Sequence, residues 1–222
     1  MARKRGSKKK SVARKTKRSR KTSVKQEKKS AGERGLCAFL RSPKWMFLLL
    51  LWYFCALAVL FSIVDFGRQM YYILAVSAIG FAALEFKLNW KGKTTQKLKD
   101  AALVGIFLLA LDLVFENAGA AFGLWAVRWG LVMFGAVPVE IVIVTLFGGF
   151  AWALYMPAKF NFRHSLLDAA MFAFFGTFGE FLLIQGGLMS YYSWWNPALA
   201  FVSYAGAWAL LNFVRYKVVE EV

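Results

Sequence analysis

Long apolar runs alternate with short polar connections along this chain, which is the pattern of a membrane helix bundle. The first run, Trp45–Val64, has 20 residues without a charge. At about 1.5 Å per residue, such a helix spans roughly 30 Å, the thickness of one hydrocarbon core. We therefore predict an all-α fold with about six transmembrane helices. The other five runs are 70–86, 101–121, 137–156, 166–184 and 197–214.

The boundaries of the fourth run are the clearest, and the stretch before it is the least clear. Pro138 opens this run and Pro157 closes it, because proline fits the first turn of a helix and resists continuation beyond its end. The preceding stretch, Gly119–Ala136, has no comparable signal, and it could equally form a re-entrant or an interfacial element.

Positive charge is concentrated in the N-terminal segment. Residues 1–44 hold 18 Lys or Arg against two acids, whereas residues 45–222 hold 11 basic and 10 acidic residues. Such a segment cannot bury enough apolar surface to fold, so we predict a disordered basic tail over 1–44 and a helical bundle over 45–222. We expect the tail to bind anionic membrane lipids. Nucleic acid is the less favoured partner, because the first 35 residues contain no aromatic side chain to stack on bases.

Every second connection between the apolar runs carries positive charge. Five lysines follow the second run, Lys159 and Arg163 follow the fourth, and Arg215 and Lys217 follow the sixth. The intervening connections are nearly free of net charge. By the positive-inside rule, this alternation predicts a multi-pass protein of the cell membrane with both termini in the cytoplasm.

Acidic residues inside the predicted helices are the main candidates for a functional site, because a carboxyl group in hydrocarbon is costly. Asp112 and Glu116 are four residues apart and share one helical face. At about 1.5 Å per residue, Asp112 lies about 16 Å, Glu116 about 22 Å and Glu180 about 21 Å from the cytoplasmic side. Glu140 lies one turn inside the outer face. We predict that these four acids share one cavity and act in catalysis, whereas Glu85 and Asp168 are expected to be interfacial.

Five further residues are candidates for binding a substrate near these acids. Arg128 or Asn117 is expected to hydrogen-bond at least one acid. Trp125, Trp129 and Trp194 could form an aromatic wall that stabilises a cationic intermediate, or an ordinary interfacial belt. The acids themselves could instead be hydrogen-bonded contacts between helices.

We expect neither a metal ion nor a cofactor. The chain has a single histidine, His164, and its two cysteines, Cys37 and Cys55, lack metal-ligand spacing and are not expected to form a disulfide. Crowded carboxyl groups in an apolar site retain protons, so one of them can serve as a proton donor at neutral pH.

A short part of the chain resembles the membrane-type lycopene cyclase domain family of carotenoid synthesis. The resemblance covers about 30 residues: Asp112-Leu-Val-Phe-Glu116, then Gly123-Leu-Trp125, then Pro138-Val-Glu140. Ile141 stands where the family has a second acid. The resemblance implies an isomerase that cyclises an isoprenoid or carotenoid end group by acid catalysis, with Glu140 as the proton donor.

Other functions are compatible with the same residues. Intramembrane acids also serve as proton relays, so a small proton-coupled transporter is an alternative, as is a structural membrane protein without activity. A membrane prenyltransferase ranks lower, because Asp112 and Glu116 form only one acidic motif for a Mg²⁺–diphosphate complex. The sequence leaves the oligomeric state open.

Overall fold

The computed structural model describes residues 43–63, 67, 69–89, 95–128 and 130–218. Within these ranges the chain forms six α-helices and a few short strands, in agreement with the predicted all-α class. The helices are α1 (Pro43–Ile63), α2 (Gln69–Asn89), α3 (Thr95–Ala121), α4 (Val139–Tyr155), α5 (Phe162–Gln185) and α6 (Pro197–Phe213). A turn of π-helix, Val214–Val218, continues α6. Residues 1–42, which make up nearly all of the predicted basic tail, lie outside the described residues.

The helix ends follow the local signals in the sequence. Pro138 is the N-cap of α4, and Met156, just before Pro157, is its C-cap. The side chain of Asn196 accepts hydrogen bonds from the amides of Ala198 and Leu199 at the start of α6, where Pro197 is the first residue. Side-chain oxygens of this kind replace the missing partners of the first turn.

Three helical segments are long and apolar enough to cross a membrane, as judged by length and composition: Gln69–Lys87, Phe162–Gln185 and Pro197–Lys217. Two shorter apolar segments, Met46–Leu60 and Val139–Tyr155, lie in α1 and α4. The chain is therefore a multi-pass membrane protein. Many of its large apolar side chains are exposed, as the surface of a lipid-facing bundle requires.

The stretch without a clear prediction, Gly119–Ala136, forms short strands after the last turn of α3. Strand β1 (Trp125–Val127) pairs antiparallel with β4 (Met189–Tyr191), which follows α5. Strands β2 (Met133–Phe134) and β3 (Val137–Pro138) form a small hairpin that leads into α4. We call the end of the bundle that carries β1 and β4 the ribbon end.

Contacts between distant residues establish which helix termini lie together. The Tyr71 hydroxyl, near the start of α2, hydrogen-bonds the carbonyls of Arg128 (3.0 Å) and Leu188 (3.2 Å) at the ribbon end. At the opposite end, the Tyr216 hydroxyl donates to the Pro157 carbonyl at 2.8 Å. Helices α2 to α6 therefore run alternately up and down. The basic residues described near their other termini, such as Lys87, Lys159 and Lys217, lie at the end opposite the ribbon, which we call the lysine end.

Small residues and aromatic rings govern the packing of the helices. α4 packs against α2 and α3, and α5 packs against α6. A Cβ atom on Gly105 of α3 would lie 2.7 Å from the Leu146 carbonyl of α4, so this pair of helices meets backbone to backbone. On the other side, Phe54 of α1 stacks on Phe175 of α5, with ring centroids 5.1 Å apart.

Candidate functional site

Three of the four predicted catalytic acids lie close enough together to interact electrostatically. Glu116 interacts with Asp112 on its own helix and with Glu180 on α5, and Asp112 interacts with Glu180 as well. Helix α3 presents its two acids on one face because they are four residues apart. We refer to Asp112, Glu116 and Glu180 as the acid cluster.

Two members of the acid cluster accept hydrogen bonds from aromatic side chains. The indole nitrogen of Trp125 donates to Glu116 at 2.7 Å. Tyr191 of strand β4 and Tyr204 of α6 both hydrogen-bond Glu180. Burial raises the pKa of Tyr191, and the negative charge of Glu180 adds to the effect, so this phenol stays protonated and donates. The ribbon and α6 thus supply the donors for acids on α3 and α5.

Asp112 differs from the other two acids of the cluster. Its Oδ2 atom is buried and has no hydrogen-bond partner among the described residues. A donated hydrogen bond stabilises a carboxylate, and this oxygen receives none. At this oxygen, Asp112 therefore lacks the kind of hydrogen bond that Glu116 and Glu180 each receive.

Glu140, the fourth predicted catalytic acid, has a backbone hydrogen-bond partner of its own. It is 3% exposed and accepts the backbone N–H of Leu131, with its two oxygens 3.0 and 3.4 Å from that nitrogen. The bond holds the loop before the β2–β3 hairpin against the first turn of α4. The Tyr71 side chain interacts electrostatically with both Glu140 and Glu116, so Glu140 lies beside the cluster.

The Asn117 side chain hydrogen-bonds the backbone of the β2–β3 hairpin, whereas the sequence predicted that this residue or Arg128 bonds an acidic side chain. Its Oδ1 accepts the Ala136 amide at 2.8 Å, and its Nδ2 donates to the Leu113 carbonyl at 2.8 Å. Gly135 makes this approach feasible, because a Cβ atom there would lie 1.9 Å from Asn117 Oδ1 and its φ of 65° favours glycine. The side chain is thus a structural link between α3 and the hairpin.

We predict that Asn117→Leu lowers the free energy of unfolding by about 1–3 kcal/mol, because the Ala136 amide loses its acceptor. Asn117→Asp keeps an acceptor oxygen and should lose less. Thermal unfolding in detergent measures both variants. Equal stability of Asn117→Leu and the wild type would show that the hairpin does not depend on this contact.

Among the described residues, the Arg128 side chain hydrogen-bonds a tyrosine and not an acidic residue. Its exposed side chain hydrogen-bonds Tyr192, and this bond lowers the pKa of Tyr192 below its usual value. The sequence-based expectation that Arg128 or Asn117 hydrogen-bonds an acid is therefore not met by these contacts. Trp194 is 63% exposed, and Trp129 lies outside the described residues.

A group of aromatic rings lies next to Glu116. Trp125 is 3% exposed, and its ring centroid is 4.6 Å from Trp195 and 5.3 Å from Phe115. Gly119 leaves room for the indole, because a Cβ atom there would lie 1.9 Å from the Trp125 ring. The Trp125 side chain therefore joins the acid cluster to an aromatic wall.

Sequence reasoning missed Tyr204 as a partner of Glu180 and Trp152 as a partner of Asp168. Tyr204 lies within α6 among apolar residues, and only the packing of α6 on α5 reveals its contact with Glu180. Asp168, expected to be interfacial, is 2% exposed and accepts the indole N–H of Trp152 at 2.6 Å. Among the described residues, no group of His, Cys, Asp and Glu side chains has an arrangement that could hold a metal ion.

No family model, curated protein or solved structure matches this chain, so the geometry of the site carries the functional argument.

Proposed function

We propose that this multi-pass membrane protein uses its acid cluster to transfer protons to and from an apolar substrate, in an acid-catalysed isomerisation. The observation that carries the proposal is the meeting of Asp112, Glu116 and Glu180 from two helices, with aromatic donors bound to Glu116 and Glu180. Three neighbouring carboxyl groups in an apolar environment cannot all be ionised, so the cluster retains a proton.

The hydrogen bonds indicate which acid holds that proton. Glu116 and Glu180 accept bonds that favour their carboxylate forms, whereas the buried Oδ2 of Asp112 has no hydrogen-bond partner among the described residues. Asp112 is therefore our choice as proton donor, in place of the Glu140 that the sequence resemblance implies. Glu116 and Glu180 are the matching bases.

The reaction that suits this arrangement is the cyclisation of an isoprenoid or polyene end group. Asp112 adds its proton to one carbon of a double bond, and the resulting carbocation is attacked by a second double bond to close a ring. A carboxylate of the cluster then removes a proton from a neighbouring carbon, so the product is an isomer of the substrate. The wall of Trp125, Trp195 and Phe115 can stabilise the cation through its π faces.

The test of this proposal is the analysis of pigments and lipids from cells that contain an acyclic polyene, with and without the protein. We expect a new compound of unchanged mass and altered absorption in cells with the wild-type protein. Cells with the Asp112→Asn variant should lack it. If the wild-type protein yields no isomer of any polyene or isoprenoid in the cell, the proposal is wrong.

We further propose that the lysine end faces the cytoplasm and the ribbon end faces outward, with both termini inside. The basis is the collection of basic residues at the lysine end: Lys87, Lys97, Lys99, Lys159, Arg163, Arg215 and Lys217. The acid cluster would then lie in the outer half of the bilayer.

Cysteine labelling from outside the cell tests this orientation. In a background with Cys37 and Cys55 replaced by Ser, we expect an impermeant maleimide to modify Ser193→Cys, which is exposed at the ribbon end. The matched variant Gln96→Cys, exposed at the start of α3, should react only after the cells are opened. The opposite pattern would place the acid cluster in the inner half of the membrane.

Proton-coupled transport is the second candidate, and one observation favours it. Glu180 and Asp168 are both buried on α5, 12 residues apart, or about 18 Å along the helix at 1.5 Å per residue. A relay needs carboxyl groups in both halves of the membrane. Proteoliposomes with a pH-sensitive dye inside distinguish the two functions, because only a transporter should acidify the lumen when a proton gradient is applied.

A further inference from the structure

Helices α5 and α6 pack antiparallel, and the residues that contact each other across the two helices follow a regular spacing. Near the ribbon end, Tyr204 fills the space beside Gly176, where a Cβ atom would lie 2.8 Å from the ring. One turn further, Phe172 stacks on Trp208 with ring centroids 4.6 Å apart. Each step moves four residues back on α5 and four forward on α6, along ridges that interdigitate. The next pair in this register is Asp168 and Asn212.

Both members of this pair carry a buried oxygen that lacks a hydrogen-bond partner among the described residues. Asp168 is 2% and Asn212 is 6% exposed, and the atoms concerned are Asp168 Oδ1 and Asn212 Oδ1. The other Asp168 oxygen accepts the Trp152 indole N–H, and the ring of Trp152 also contacts Trp208. Asn212 Nδ2 donates to the Trp208 carbonyl at 2.9 Å, which fixes the orientation of the amide. The register therefore puts Asp168 and Asn212 at opposing positions, and neither of these two oxygens accepts a hydrogen bond from a described residue.

We propose that Asp168 binds a proton and, as a neutral carboxylic acid, donates a hydrogen bond to Asn212 Oδ1. A single hydrogen atom on Asp168 then satisfies both acceptors, whereas an ionised Asp168 would leave two oxygens in repulsive contact inside an apolar core. The ligand of this site is the hydrogen ion, and the site lies in the half of the bundle away from the acid cluster. It does not depend on the proposed isomerase activity.

Other polar and titratable groups lie within one helical turn of this pair in the sequence. His164 is one turn before Asp168 on α5, and its ring contacts Tyr155 of α4 at a centroid distance of 6.0 Å. Ser165 Oγ, on the same face as Asp168, is buried without a hydrogen-bond partner among the described residues. Arg215 follows Asn212 by three residues and is 5% exposed. A pairing of ionised Asp168 with Arg215 or with a bound cation is the competing arrangement.

Infrared difference spectroscopy of the full-length protein in lipid nanodiscs tests the proposal. In the wild-type minus Asp168→Asn spectrum at neutral pH, we expect the loss of a carboxylic-acid C=O band that shifts in D₂O. Asn212→Leu should keep this band at a higher frequency, because the acid loses its acceptor. The loss of carboxylate bands instead would overturn the proposal, whether a cation or Arg215 supplies the counter-charge.

The unfolding temperatures of Asp168 variants provide a second test of the proposal, which does not depend on the strength of an infrared band. Asp168→Asn is neutral, accepts from Trp152 and can donate to Asn212, so its unfolding temperature should equal that of the wild type at neutral pH. Asp168→Leu satisfies neither partner and should unfold at a lower temperature. A wild-type protein whose stability rises with sodium concentration, while that of Asp168→Asn does not, would show a cation site and contradict the proton site.

Discussion

Asp112→Asn is expected to abolish the isomerase activity while the bundle remains folded. Asparagine keeps the shape of the side chain but has no carboxyl proton to give, and general acid catalysis contributes about 10²- to 10⁴-fold to a rate. Glu116→Gln and Glu180→Gln should cause losses of similar size, because each removes a carboxylate that can accept the proton at the end of the reaction. Product formation by membranes from cells with each variant measures the effect, and thermal unfolding checks the fold.

Glu140→Gln is the matched control for these three variants. Glutamine can still accept the Leu131 amide, so the loop and the activity should be largely preserved, with a loss of less than about tenfold if this residue is outside the proton path. If Glu140→Gln is inactive and Asp112→Asn is active, the proton donor is Glu140. The structure-based assignment would then be wrong, and the one implied by the sequence resemblance would be right.

Gly105→Ala is expected to destabilise the bundle because the added methyl group would meet the backbone of α4. The added carbon would lie 2.7 Å from the Leu146 carbonyl and 3.2 Å from the Phe150 amide nitrogen. These are backbone atoms that cannot move aside without separating the two helices, so we expect a cost of about 1–3 kcal/mol. The same separation would displace Asp112 and Glu116 and reduce activity. Thermal unfolding and activity are measured on the same preparation.

Gly148→Ala provides the control for that experiment. Gly148 lies in α4 next to the close contact, yet a Cβ atom there would have no neighbour within 4 Å. Its replacement should leave the unfolding temperature unchanged or slightly raised, because alanine favours the helix over glycine. Equal destabilisation by Gly105→Ala and Gly148→Ala would contradict the backbone contact between α3 and α4.

The helices could be predicted from the sequence because their signals are local. Long apolar runs and prolines predicted six helices, and the structure contains helices at all six positions. The Gly119–Ala136 stretch could not be predicted, because β1 is stabilised by pairing with β4, about 60 residues away. A strand of three residues has no periodicity of its own, and its pairing depends on how the helices bring the two loops together.

The sequence could predict the site only in part. It gave the depth of each acid along its helix, but depth alone does not determine which side chains touch. Equal depth correctly suggested that Glu116 and Glu180 approach each other. It did not reveal that Glu140 accepts the backbone amide of Leu131, because depth does not say which way a side chain points. The contact of Tyr204 with Glu180 was missed for the same reason, since the register of α5 on α6 decides it.

Isomerisation in D₂O tests the central claim most directly, because it reports where the proton that starts the reaction comes from. Carboxyl protons exchange with solvent, so the account predicts one deuterium atom, bound to carbon, in the product for each ring closed. Mass spectrometry of the product measures this number, and the product made in H₂O is the reference. A cyclised product without deuterium would contradict proton donation by the acid cluster.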